Sequence, residues 1–134
     1  MRSTADGLGR TVRVETGDAG GAKTLADTEY DSCACSPIGK LKRQSLPYAP
    51  GGTPLWVTYV YDGLGRTLQA QQPLSAGTTT TAYAGNKVTV TDPAGRWKTQ
   101  TSNAFGELVQ VTEPNPSGGT FETYYTYTLL GKLS

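Results

Sequence analysis

The chain has 134 residues, with 12 Lys and Arg against 11 Asp and Glu and no histidine, for a formal charge of +1. Without imidazole there is no Ser-His-Asp or Cys-His catalytic set and no His metal ligand. The balanced charge lacks the dense basic stripe of a nucleic-acid binder, and no apolar run is long enough to span a bilayer as a helix.

Hydrophobic content is 36% and there are 17 glycines, a composition poor in helix formers and rich in Thr and Tyr, which favour strands. No window carries a sustained helical period, so the chain reads as all-β. In chain order, strands are expected at 11–15, 26–31, 40–46, 55–61, 66–71, 78–83, 87–91, 96–101, 107–112 and 121–128. Gly17-Asp18-Ala19-Gly20-Gly21 ends the first. The insert Ser32-Cys33-Ala34-Cys35-Ser36-Pro37 separates the next two, and 47–54 is a proline- and glycine-rich loop. Gly85-Asn86 supplies left-handed residues for a tight hairpin, and 113–119 reads as another long loop. Roughly ten strands at this spacing predict an antiparallel hairpin meander rather than βαβ units.

The tract Tyr59-Val60-Tyr61-Asp62-Gly63-Leu64-Gly65-Arg66 organises the chain because it recurs in altered form. Thr4-Ala5-Asp6-Gly7-Leu8-Gly9-Arg10 repeats it closely, and Tyr30-Asp31 with Gly39-Lys40 repeats it around an insertion. Thr91-Asp92-Pro93-Ala94-Gly95-Arg96, Ser102-Asn103-Ala104-Phe105-Gly106-Glu107 and Tyr127-Thr128-Leu129-Leu130-Gly131-Lys132 complete the series. Intervals between the glycines are uneven, about 30 residues at the longest and about 11 at the shortest, which suits hairpins of unequal length. Asp62 is placed to accept backbone N–H bonds as an Asx-turn does, and Gly65 suits a positive φ that closes the loop. Around this hairpin Val57, Tyr59 and Tyr61 alternate with Trp56, Thr58 and Val60.

These residues resemble the Rhs or YD repeat, with Tyr59 to Leu68 matching almost position for position. The resemblance covers most of the chain as a single region, 1–134. It implies a slice of a strand-rich spiral shell around a C-terminal cargo or toxin, in a bacterial secreted or cell-surface setting. The function so implied is structural and non-enzymatic, with no cofactor, and its partners are the rest of the parent shell and its cargo. The motif positions carried over are Asp6, Gly9, Arg10, Tyr30, Asp31, Gly39, Tyr59, Tyr61, Asp62, Gly65, Arg66, Asp92, Gly95, Arg96, Gly106 and Gly131. The family's aspartate-based self-cleaving core has no match here and is not transferred.

Three other features of the chain bear on this reading. The turn carboxylates are explained by local hydrogen bonding rather than by a glycosidase pair. Cys33 and Cys35 are expected as inert thiols, since i and i+2 in a strand stand too far apart for relaxed disulfide geometry. A turn-assisted disulfide and a shared metal half-site remain the alternatives. Tyrosines with Trp56 and Trp97 are expected to pack across strands, and the alternative is an aromatic surface that binds carbohydrate or a protein. No signal peptide precedes Asp6, and both ends read as cuts within a longer array. Cut strands, above all 121–127, then predict self-association, with a homodimer expected.

Overall fold

The computed structural model describes residues 1–17, 20, 21, 23–128 and 130–134. Asp18 and Ala19, part of the expected 17–21 loop, and Leu129, part of the last motif copy, lie outside the described residues. The protein is all-β. Its strands are β1 (Arg2–Ala5), β2 (Thr11–Gly17), β3 (Lys23–Cys33), β4 (Ser36–Ser45), β5 (Trp56–Tyr61), β6 (Thr67–Gln71), β7 (Thr78–Ala84), β8 (Lys87–Thr91), β9 (Trp97–Ser102), β10 (Leu108–Pro114) and β11 (Thr120–Tyr124). Among the described residues, helix is confined to a single 3-10 turn at Pro73–Ser75.

Two compact units divide the chain, Met1–Thr78 and Thr79–Ser134. In the first, β1 to β6 form a meander in which each strand pairs antiparallel with the next. In the second, β7 to β11 do the same. Consecutive antiparallel pairing needs only short loops, and glycine-rich turns supply them.

Register within the first unit follows charge. Arg13 lies opposite Asp27 and Glu29 opposite Arg43, and both pairs are bidentate. Arg13 Nε and Nη2 donate to Asp27 at 2.5 and 2.9 Å. Arg43 does so to Glu29 at 2.7 and 2.8 Å. A slip of one residue would send each pair to opposite faces, so these ladders penalise misregister. In the second unit Thr89 and Thr99 stand opposite one another with their hydroxyls 2.8 Å apart.

Burial is sparse. Among the described residues only Val111 and Ser45 are buried, and the Ser45 hydroxyl accepts the Asp27 N–H at 2.8 Å. Domains ordinarily bury sheets against a second layer. Here hydrogen bonding, cross-strand pairs and turn contacts carry a larger share of the stability than a core does.

Several expectations need correction. A strand precedes residue 11: β1 has no apolar alternation and is recruited by pairing with β2. Segment 47–54 is a loop as expected, with the addition that Leu25 and Tyr48 exchange backbone hydrogen bonds at 2.8 and 2.9 Å. At Gly85-Asn86 only Gly85 takes positive φ, at 59°. Asn86 instead donates Nδ2 to the Ser102 carbonyl at 2.6 Å. The segment 113–119 is no open loop, since β10 runs to Pro114 and a compact turn follows. The last strand ends at Tyr124 rather than running to 128, with Tyr127 forming an isolated bridge to Leu133.

Candidate functional site: the recurring turn and its tyrosine contact

The motif residues build one turn several times over. At Asp62 the carboxylate Oδ1 accepts the N–H groups of Leu64 and Arg66 at 3.0 and 2.9 Å. Oδ2 accepts Arg66 Nε at 2.7 Å. The Gly65 N–H donates to the Asp62 carbonyl, and the Asp62 N–H to the Arg66 carbonyl, both at 2.9 Å. Asp6–Arg10 and Asp92–Arg96 reproduce every one of these bonds within about 0.1 Å. Three contacts on one carboxylate favour its ionised form. Asp6 and Asp92 are held below the usual carboxylate range first by the arginine side-chain bond, and Asp62 first by the Arg66 backbone N–H.

The degraded copies keep the geometry by exchanging chemistry. In Asn103–Glu107 the Asn103 Oδ1 accepts the Phe105 and Glu107 N–H groups at 2.9 and 3.0 Å. Its Nδ2 donates to Glu107 Oε2 at 2.7 Å, so the Asp–Arg polarity is reversed. Thr128 uses its hydroxyl, which accepts the Lys132 N–H at 3.2 Å. Asn115 makes a further turn that sequence reading passed over, its Oδ1 accepting the Ser117 N–H at 2.9 Å. Asn followed three residues later by glycine was the signal that would have found it. Gly65 and Gly95 both stand at φ 79° and Gly9 at 78°, where a side chain would be strained.

The second copy departs from the pattern. Asp31 lies in β3, its Oδ1 accepting the Ser32 N–H and its Oδ2 accepting Lys42 Nζ at 2.6 Å. Gly39 lies in β4, at φ 89°. The hairpin continues beyond them to a tip where Cys33 pairs with Ser36. There Cys33 and Cys35 form a disulfide with Cα atoms 5.1 Å apart. The expectation of inert thiols is therefore overturned. Residues 34 and 35 turn rather than extend, which brings the two cysteines within bonding reach.

Contacts between successive turns form a second recurring set. Tyr30 donates its hydroxyl to the Thr11 carbonyl at 3.4 Å, Tyr61 to Leu41 at 2.8 Å and Tyr127 to Leu108 at 2.9 Å. Donor and acceptor are 19, 20 and 19 residues apart, and each acceptor stands two residues after the glycine of an earlier copy. The residue just after that glycine also reaches forward. Arg10 stacks 4.2 Å from the Tyr30 ring and donates to the Ile38 carbonyl at 2.7 Å. Lys40 lies 5.1 Å from the Tyr61 ring and donates to the Gly65 carbonyl at 2.6 Å. A Cβ at Gly65 would meet Lys40 Nζ at 3.1 Å, and one at Gly131 would meet Glu107 Oε1 at 3.3 Å. Glycine serves twice here, for its φ and for the side chain seated beside it.

Of the sixteen motif positions, Asp6, Gly9, Arg10, Asp62, Gly65, Arg66, Asp92, Gly95, Arg96 and Gly106 close turns. Tyr30, Gly39 and Tyr61 join copies, and Arg10, Gly65 and Gly131 do both. Asp31 does neither, and Tyr59 faces Ala70 across β5 and β6. The residue before each glycine is apolar and exposed at Leu8, Ile38, Leu64, Phe105 and Leu130. Trp56 is covered by the Arg43 guanidinium at 4.2 Å, and Tyr48 donates its hydroxyl to Asp27. Neither protein-family models nor curated proteins give a match to this chain.

Proposed function

We propose that the chain is a non-enzymatic repeat module of an Rhs/YD-type shell, a stretch of wall that separates an enclosed C-terminal cargo or toxin from solvent. What supports this reading is the tyrosine contact: a hydroxyl bond of fixed sequence offset from one copy to the return strand of an earlier copy. Such contacts couple neighbours and propagate along an array, as repeat architectures require. Fourteen of the sixteen motif residues are occupied in turn closure or coupling, and the acids among them are explained without a substrate.

The test is protection of cargo. A parent shell protein that contains this stretch is compared with its free C-terminal cargo, and the cargo is probed by limited proteolysis. Enclosure predicts cleavage slowed by about ten-fold or more relative to free cargo, since an enclosed chain is cut only through opening of the wall. Paired Tyr30→Phe and Tyr61→Phe changes should restore part of the cleavage. Equal cleavage of joined and free cargo would refute the proposal.

A second reading, a surface-exposed carbohydrate- or protein-binding module, draws on one feature of the second unit. A cleft of about 530 Å³ is lined by Trp97, Phe121, Pro114 and Pro116 together with Arg96 and Glu113. Aromatic walls with a few polar groups suit a sugar ring. Retention on a glycan array that Trp97→Ala abolishes and Tyr59→Ala leaves intact would favour it over the shell.

A further inference from the structure

We propose that the Cys33–Cys35 disulfide is a thiol–disulfide exchange site that reacts with small anionic thiols, rather than a staple of the fold. Loop-closure stabilisation grows with the number of residues enclosed. This ring joins cysteines only 2 positions apart, at the tip of a hairpin whose paired strands already hold it closed. Little of the fold depends on it.

The surroundings suit exchange. Cys33 lines a groove of about 250 Å³ with Asp31, Lys40, Lys42, Tyr59 and Tyr61. Cys35 faces the next turn instead, its Cβ 3.6 Å from where a Cβ on Gly65 would stand. That same point is 3.1 Å from Lys40 Nζ, so the Lys40 ammonium and Cys35 are neighbours. Lys42 is paired with Asp31 at 2.6 Å. Lys40 bonds a neutral carbonyl and lies over a neutral ring, and among the described residues no carboxylate pairs with it. Asp31 stands opposite Lys40 but is held by Lys42, so the Lys40 ammonium is left to stabilise a thiolate formed at Cys35 and makes that sulfur the better leaving group.

The step runs in that direction. A thiolate RS⁻ enters the groove and attacks Cys33 Sγ. The Sγ–Sγ bond breaks, and the electron pair leaves on Cys35 Sγ beside Lys40. The product is a mixed disulfide between R and Cys33. A second RS⁻ attacks the sulfur of R, forms RSSR and releases the Cys33 thiolate, and both protein thiolates take protons from water. Overall, two RSH are oxidised to RSSR while the protein disulfide is reduced to a dithiol.

Reduction of the native chain by glutathione, as the anionic thiol, and by cysteamine, as a cationic one, is followed by mass spectrometry at matched thiolate concentration and low salt. Glutathione is expected to react faster by about three-fold or more, a preference that Lys40→Gln removes and that added salt weakens. Exposed to glutathione disulfide, the Cys33→Ser protein should form a mixed disulfide at Cys35 faster than Cys35→Ser forms one at Cys33, since the thiol beside Lys40 is the more ionised. Circular dichroism of each variant checks that the strands are retained, and the comparison of the two thiols on the unmodified chain needs no variant. Two free thiols in the air-oxidised protein, reduction only after denaturant, equal rates for the two thiols, or a faster adduct at Cys33 would each overturn the proposal.

Discussion

Gly65→Ala isolates the contact between successive turns. Gly65 and Gly9 have nearly the same backbone conformation, at φ 79° and 78°, so alanine costs about 1 kcal/mol at either through left-handed strain. Their surroundings differ. A Cβ at Gly9 would meet nothing within 4 Å, whereas one at Gly65 would stand 3.1 Å from Lys40 Nζ and 3.2 Å from its Cε. Lys40 must then give way by a few tenths of an ångström, which weakens its 2.6 Å bond to the Gly65 carbonyl and adds up to about 1 kcal/mol. Gly65→Ala is therefore expected to cost up to about 2 kcal/mol and Gly9→Ala about 1, a gap of up to about 4–8 °C in Tm for a unit this size. Urea unfolding supplies the free energies. In a Lys40→Met background the extra cost of Gly65→Ala should vanish, since the two changes share one contact. Equal costs at Gly65 and Gly9, or an excess that persists without Lys40, would refute coupling through this side chain.

Tyr61→Phe and Tyr127→Phe should each cost about 1 kcal/mol in urea unfolding, because each removes a hydroxyl bond between copies. Tyr59→Phe is the control: among the described residues its hydroxyl has no partner, and a loss there equal to the other two would count against the tyrosine contact. Asp6, Asp62 and Asp92 are held below the ordinary carboxylate range in the folded chain. Their stabilisation is thus complete above the unfolded value near pH 4 and is lost as pH falls through the lower folded values. Tm should be level from about pH 7 to 5 and fall below about pH 4, less steeply in Asp62→Asn, and a level Tm down to pH 3 would refute this. The self-association expected from the sequence would use β11, where Phe121 and Tyr124 are exposed. Sedimentation should show a dimer that Phe121→Lys disperses, and a monomer at high micromolar concentration would contradict it.

What could be read directly from the sequence was local. Asp62-Gly63-Leu64-Gly65-Arg66 is legible because its hydrogen bonds close within five consecutive residues, so residue types and spacing carry the geometry. All-β character was legible for the same reason, since strand propensity and turn punctuation accumulate along the chain. Asn115-Pro116-Ser117-Gly118 was within reach by that logic, but its proline drew it into a loop. Tertiary structure alone decided what joins one copy to another. The bond from Tyr61 to Leu41 spans 20 residues, and its acceptor is a backbone carbonyl that any residue carries, so no side-chain type marks it. The Cys33–Cys35 bond depended on whether residues 34 and 35 extend or turn, which the pairing of Cys33 with Ser36 settles. Which strand stands where, and which glycine has a neighbour's side chain seated beside it, follow from cross-strand register. Register is a property of two segments together, and neither segment contains it alone.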